Sequence, residues 1–282
     1  MSVRLGLLAD VLLGEPPARV RPVAVFGSLM NAFERRVYRD SRAVGAGYTL
    51  VGAALGVSGG LIIRRSLATY LAVAARSLWT EANNVQRALN DGDLDHAQAL
   101  LPALVGRDPD GLDEKEVARA TVESVAENTV DAIVAPALWA TVGGAPGALG
   151  YRAVNTLDAM VGHRSPRYEH FGWASARIDD AVNWVPARAT AALVATVRPR
   201  AAQRIWRAVR EQAPLHPSPN AGVAEAAFAV ALGLRLGGEN RYGDRTELRP
   251  PLGTGRPPDA ADIGRAVSLS RHVTLALATV VV

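Results

Sequence analysis

Apolar residues recur along this chain at three- and four-residue intervals, and between them lie long stretches without a charge. Trp79, Ala82, Val85, Ala88 and Leu89 share one face within residues 79–101, the spacing of an amphipathic helix. Asp91-Gly92-Asp93 interrupts that run as a turn, and a second short helix follows over 97–101. Residues 106–111, GRDPDG, read as a loop, after which Asp113 is placed to cap a helix with Glu114 and Glu116 in its first turn, running towards Asp131. Residues 1–14 read as a retained amphipathic helix, 200–210 as a basic helix after Pro199, and the Gly- and Pro-rich 237–259 as a loop. Residues 46–63 are eighteen in a row without charge, flanked by Arg42 and Arg64-Arg65, which reaches the lower limit of a membrane span at about 17–25 residues. Uncharged residues 67–75 extend it as a long tilted helix or a hairpin. Residues 132–151 are a second uncharged stretch, and Pro136, Gly143, Gly144, Pro146 and Gly147 within it predict a broken or re-entrant helix. Residues 182–197 and 266–282 are further candidate segments. No alternating strand pattern persists. The expectation is one all-α domain over 1–282, a polytopic helical membrane protein with a polar site at the membrane boundary. A soluble protein with glycine-rich buried helices is the alternative.

Polar residues interrupt this background in three runs, 122–131, 151–160 and 175–184. Glu116, Glu123, Glu127 and Asp131 fall seven, four and four residues apart, one stripe of a helix, with Arg119 one turn from two of them and Asn128 beside them. Arg152, Asn155 and Asp158 form a second stripe. Asp179, Asp180 and Asn183 form a third, preceded by Arg177. Each stripe alone suits a solvated ion-pair face. Flanking an uncharged span, together they suit Mg²⁺ with phosphate, since that ion takes one or two carboxylates plus substrate oxygens while Arg stabilises developing charge. Glu123, Glu127 and Asp131 are the candidate metal ligands; Asp179 and Asp180 are a second carboxylate pair. The stiff loop HPSPNAG (216–222) offers His216 as a proton acceptor and Ser218 and Asn220 as binding groups, with Glu225 on the next helix.

Composition narrows the chemistry. The chain has no Cys, which removes disulfides, thiolate metal sites and cysteine nucleophiles. Lys115 is the single lysine among 31 basic residues, so a phosphate clamp must use Arg and backbone amides. The net charge of +4 is scattered and aromatics are 5%, which argues against nucleic acid and fits anionic headgroups. GxxxxGK[ST], GxGxxG after a strand and GxSxG are absent.

Residues 107–188, from RDPDGLDEKEVARATVESVAENTVD through YRAVNTLDAM to SARIDDAVNWVPAR, resemble the core of the adenosylcobinamide-phosphate synthase family, CobD/CbiB. DVLLGEPPARVRPVAVFGSLM (10–30), HPSPNAG and RLGGENRYG (235–243) resemble it too, so the likeness runs over nearly the whole chain. Ala132 and Ala159 stand where many members have Gly or Ser, and His163 where they have an aromatic. The resemblance implies a multi-pass inner-membrane ligase that consumes ATP with Mg²⁺. Its substrates would be a corrinoid, adenosylcobyric acid, and aminopropanol or aminopropanol phosphate. Late corrin-pathway enzymes or a second copy of the chain would be its partners. A non-enzymatic scaffold or carrier of the corrin pathway and a Mg²⁺-dependent membrane prenyltransferase are the competing readings.

Overall fold

The computed structural model describes residues 2–16, 21–106, 108–163, 165–242 and 245–282. Arg107 of the expected GRDPDG loop, Gly243 of GGENRYG and residues 17–20 of the N-terminal likeness lie outside them. In chain order the helices are α1 (Val3–Leu13), α2 (Pro22–Val37), α3 (Arg42–Leu61), α4 (Arg65–Ala72), α5 (Ala75–Asn90), α6 (Leu94–Leu100), α7 (Glu114–Thr129), α8 (Ala135–Leu157), α9 (Trp173–Val197), α10 (Ala202–Glu211), α11 (Ala221–Leu232) and α12 (Ala260–Val280). Two strands, β1 (Leu236–Tyr242) and β2 (Arg245–Leu252), precede α12. The chain divides into two compact units: Met1–Arg76 with Asp131–Trp184 and Val280–Val282, and Ser77–Val130 with Val185–Thr279.

In the first unit α3 and α4 pack on α8, and α1 packs on α4. Small residues let the backbones approach closely, as in membrane helix pairs. A Cβ on Gly60 would lie 2.4 Å from Pro146, one on Gly56 2.6 Å from the Ala153 Cβ, and one on Gly45 1.9 Å from the Phe171 carbonyl. Met30, Tyr48, Leu157, Val161 and Phe171 form the core beneath. Gly144 breaks α8 with φ 65° and ψ −150°, a conformation that favours glycine, and Pro146 follows it. Past the break the chain turns sharply enough that a Cβ on Gly147 would meet the Trp139 carbonyl at 2.2 Å. Leu5, Leu8, Leu12 and Leu13 of α1 and Leu50, Val51, Leu55, Val57 and Leu61 of α3 are exposed.

Among the described residues two helical stretches are long and apolar enough to cross a membrane, Arg42–Leu61 and Glu114–Gly162. The second is no continuous rod, since π-helical turns at Val130–Val134 and Asp158–Gly162 and the Gly144 break divide it. The expected segments 182–197 and 266–282 fall on α9 and α12, which are helical but are not among the two stretches that meet that test. Residues 67–75 belong to the separate short helix α4 and the start of α5.

The second unit is built on α7 and α11. Asp113 caps α7 in a full capping box with Glu116, as its spacing predicts. Residues 117–126 are then buried throughout, as are 222–229 of α11. Trp79 Nε1 donates to Ser270 Oγ at 3.0 Å and Thr129 Oγ1 to the same oxygen at 2.8 Å, tying α5 and α7 to α12. The loop expected over 237–259 is in part an antiparallel hairpin, β1 with β2, so the fold is mostly rather than wholly helical. Leu236 and Leu252 pair at its buried base, and a bulge at Leu236/Gly238 shifts the register. Pro250 and Pro251 are tolerated because both strands of a two-stranded ribbon are edges.

Candidate functional site

Each unit gathers some of the candidate residues into a polar cluster. In the first, α8 presents Tyr151, Arg152, Asn155 and Asp158, α9 presents Asp179, Asp180 and Asn183, and Asp131 comes from the π-helical turn before α8. Asn155 Nδ2 donates to Asp131 Oδ2 at 3.3 Å and to Asp179 Oδ1 at 3.4 Å. Asn183 Nδ2 donates to Asp179 Oδ2 at 3.0 Å, and Tyr151 Oη donates to Asn183 Oδ1 at 2.9 Å. Arg152 Nη1 reaches Asn155 Oδ1 at 3.3 Å, while its buried Nε has no acceptor. Burial pushes the Asp179 carboxyl up to about 6, against the hydrogen bonds from Asn183 and Asn155, and the Asp180 charge adds to the rise. Burial also raises Asp180, partly offset by Arg177. The second and third stripes meet through Asn155 and Asp179, and Asp131 joins them through Asn155.

In the second unit, Glu123 accepts from the Gly237 N–H at 2.9 Å and from Arg119 Nη1 at 3.4 Å. Arg119 also donates to the Glu239 carbonyl at 2.7 Å and to Asn240 Oδ1 at 3.1 Å, fastening β1 to α7. Glu225 of α11 is fully buried, with its carboxyl in hydrogen-bonding reach of the Glu127 carboxyl. Arg249 Nη1 and His216 Nε2 each stand 3.6 Å from Glu225 Oε1, and Arg249 Nη1 is 3.9 Å from Glu127. Burial, then the charges of Glu127 and Glu123, hold the Glu225 carboxyl well above the ordinary carboxylate range. The His216 ring is lowered by burial and by Arg249.

Several expected binding groups already serve the fold. The Ser218 N–H lies 3.1 Å from His216 Nδ1, and a backbone N–H can only donate, so the neutral ring carries its proton on Nε2, towards Glu225. Ser218 Oγ accepts from the N–H groups of Asn220 and Ala221, closing the start of α11. Asn220 Oδ1 accepts from Arg188, and Asn128 turns its amide back onto the Ser124 carbonyl of its own helix. The stripe Glu116–Glu123–Glu127–Asp131 is distributed: Glu116 completes the helix cap, Glu123 and Glu127 lie in the second unit, and Asp131 lies in the first. Among the described residues no group of three His, Asp or Glu is disposed to hold a metal ion. Arg249 and Asn240 went unread because they sit on the unrecognised hairpin. The sequence runs ENRY and RTEL on either side of a Gly-Asp pair, a pairing that can signal a hairpin, are the signal that could have found them.

This is a mostly helical chain in which, among the described residues, two stretches are long and apolar enough to cross a membrane and carboxylate, amide and arginine side chains gather in a cluster in each unit. The chain belongs to the CobD/CbiB family, whose model, described as CobD/Cbib protein, matches residues 3–270. It is 47% identical over 300 residues to the cobalamin biosynthesis protein CobD of Mycobacterium tuberculosis (strain CDC 1551 / Oshkosh), covering 100% of this chain and 94% of that one. It is 48% identical over 283 residues to the protein of the same name from Chromobacterium violaceum, covering 94% and 90%. For the namesake from Geobacter metallireducens the identity is 43% over 271 residues, covering 89% and 85%. No solved structure matches the chain.

Proposed function

We propose that this chain is a cobalamin-biosynthetic enzyme that forms an amide bond. It would join aminopropanol, or its phosphate, to a propionate of adenosylcobyric acid with consumption of ATP, giving adenosylcobinamide or its phosphate. The observation that carries the reading is family membership over nearly the whole chain, with relatives named for cobalamin biosynthesis. The clusters supply the kind of chemistry it needs. A carboxylate is a poor electrophile, and ATP with Mg²⁺ would supply the phosphoryl group that activates it.

The residues of the first unit fit that pair. Arg152 Nε is buried without an acceptor, a vacancy that an anionic ligand oxygen would fill. Mg²⁺ arriving on phosphates needs only one or two protein carboxylates, so Asp179 and Asp180 would hold it without a preformed cage of three. Arg152 and Arg177 would face phosphate charge. Asn155 and Asn183 keep Asp131 and Asp179 in place through their amides, and Asp158 adds a further carboxylate at the end of α8. Glu123, tied to Gly237 and Arg119, acts in the second unit as an anchor rather than as a metal ligand.

The exposed leucines of α1 and α3 support a place in the inner membrane, with α3 spanning it and the broken α8 entering as a re-entrant element. The test is reconstitution of detergent-purified protein with adenosylcobyric acid, Mg²⁺-ATP and aminopropanol phosphate, following corrinoid mass and nucleotide cleavage. Amide product with one nucleotide cleaved per bond is the expected result. Corrinoid binding without product from folded protein would leave a scaffold or carrier in its place.

A further inference from the structure

We propose that α10 is a membrane-surface contact, its outward face lying against the anionic headgroups of a lipid bilayer. The inference rests on the membrane placement proposed above and deepens it by naming the helix that meets the lipid and the headgroup chemistry it takes.

The structure separates the two faces of this helix. Ile205 and Ala208 are buried, and α10 packs on α11, which fixes its roll. Arg204, Arg207 and Arg210 follow at three-residue steps and are all exposed, as are Gln203 and Trp206, and exposed Arg200 precedes them. Glu211 is the one acidic residue of the run, so four arginines less one glutamate leave residues 200–211 with a net charge of +3. Arg119, Arg249 and Arg265 of the same unit are paired with its own carboxylates. The four guanidinium groups of this run have no carboxylate within ion-pair distance among the described residues. A guanidinium is weakly hydrated and its fork matches phosphate oxygens, so such a row is the complement of an anionic headgroup layer. Trp206 is 43% exposed and Leu215, just past the helix, 65%. A face that only meets water needs neither, whereas an indole among cations is the composition of a bilayer interface. Nucleic acid presents phosphates too, but Trp206 is the one aromatic of α10, and single-strand binding stacks successive bases on several.

The chain contains no cysteine, so Gln203→Cys gives a single attachment point for an environment-sensitive fluorophore on the exposed face. The labelled full chain is reconstituted into vesicles of phosphatidylcholine alone and of phosphatidylcholine with an equal share of phosphatidylglycerol. A blue shift of the label is expected with phosphatidylglycerol and not without it. It should disappear in 1 M NaCl, where the Debye length is about 3 Å. The triple variant Arg204→Gln/Arg207→Gln/Arg210→Gln, confined to exposed positions, should lose the shift. Each arginine contributes roughly 5-fold to surface contact, and the three together about 100-fold. A shift of equal size in neutral vesicles, one that the triple variant keeps, or one matched by polyuridylic acid added to neutral vesicles would overturn the assignment. Washing the vesicles with alkaline carbonate separates this contact from the membrane placement. A chain retained through the wash whose label stays silent would keep the placement and sink the contact. A chain released by the wash whose label had responded to phosphatidylglycerol would do the reverse.

Discussion

Replacing Arg119 with Met tests what holds the β hairpin in place. An isolated two-stranded hairpin is marginal in water, and β1 is fastened to α7 by Arg119 through the Glu239 carbonyl at 2.7 Å and Asn240 Oδ1 at 3.1 Å. The Arg119 side chain is 10% exposed, so solvent screens these bonds little. Hydrogen bonds to a charged group contribute about 1.5–3 kcal/mol each, which puts the two together at about 3–6 kcal/mol. Glu123 keeps the Gly237 N–H after the change and is not stranded, and the methionine stem retains most of the packing. The expected local cost is therefore about 3–4 kcal/mol, or roughly a hundred- to a thousandfold in the opening equilibrium of the hairpin. Hydrogen exchange read by mass spectrometry on peptides covering 236–252 measures it, with α3 peptides as the internal reference. Protection of the hairpin within about threefold of wild type would refute the reasoning. So would an equal loss of protection in α3, since the effect would then be global.

Three further outcomes follow from the same geometry. Asp179→Asn should lower turnover about a hundredfold or more while leaving the protein folded, and the wild-type rate should fall as pH drops through about 6, where Asp179 protonates. A rate independent of pH down to 5 would contradict the role. Glu225 has a folded pKa raised above its ordinary 4.5, so its stabilising contribution is complete below that value and is lost as pH rises through the folded pKa. The melting temperature of wild type should thus decline more steeply as pH rises above 4.5 than that of Glu225→Gln, and parallel profiles would exclude this origin. Gly45→Ala would place a Cβ 1.9 Å from the Phe171 carbonyl, whereas a Cβ on Gly47 meets nothing within 4 Å. The first should cost about 3 kcal/mol and the second nothing or less, measured by thermal unfolding in one detergent.

The helical part of this fold was legible because its signals are local. Asp113 and Glu116 at N-cap and N3 announce α7, Asp91-Gly92-Asp93 separates α5 from α6, and Gly144 with Pro146 marks the break in α8. Most of the first unit's cluster was legible for the same reason, since Asp179–Asn183 and Arg152–Asn155 are contacts within one helix. Asp131 was placed one turn beyond Glu127 on a single stripe, yet the π-helical turn at Val130–Val134 and the division between units at Val130/Asp131 assign the two to different clusters. Helical spacing cannot register that division, because it depends on contacts distant in sequence. The hairpin was hidden by two glycines and two prolines whose local preference is for loops. With it went Arg249 and Asn240, which complete the second cluster across more than a hundred residues of chain.

The two clusters compensate their charge by different means, and the difference bears on what each can bind. In the first, amides of Asn155 and Asn183 moderate the carboxylates, and an amide lowers a carboxylate's cost without cancelling its charge. Such a site still calls for a cation, and the unfilled Nε of Arg152 calls for an anion. A metal with its phosphates answers both demands at once. In the second, guanidinium groups do the moderating, with Arg119 spent on the hairpin and Arg249 held at 3.6 Å and 3.9 Å from Glu225 and Glu127. Burial and the neighbouring charges of Glu127 and Glu123 outweigh Arg249 and favour the neutral form of Glu225. The polar residues of this chain are thus sorted into two environments, one that still calls for a cation and one that already holds its own.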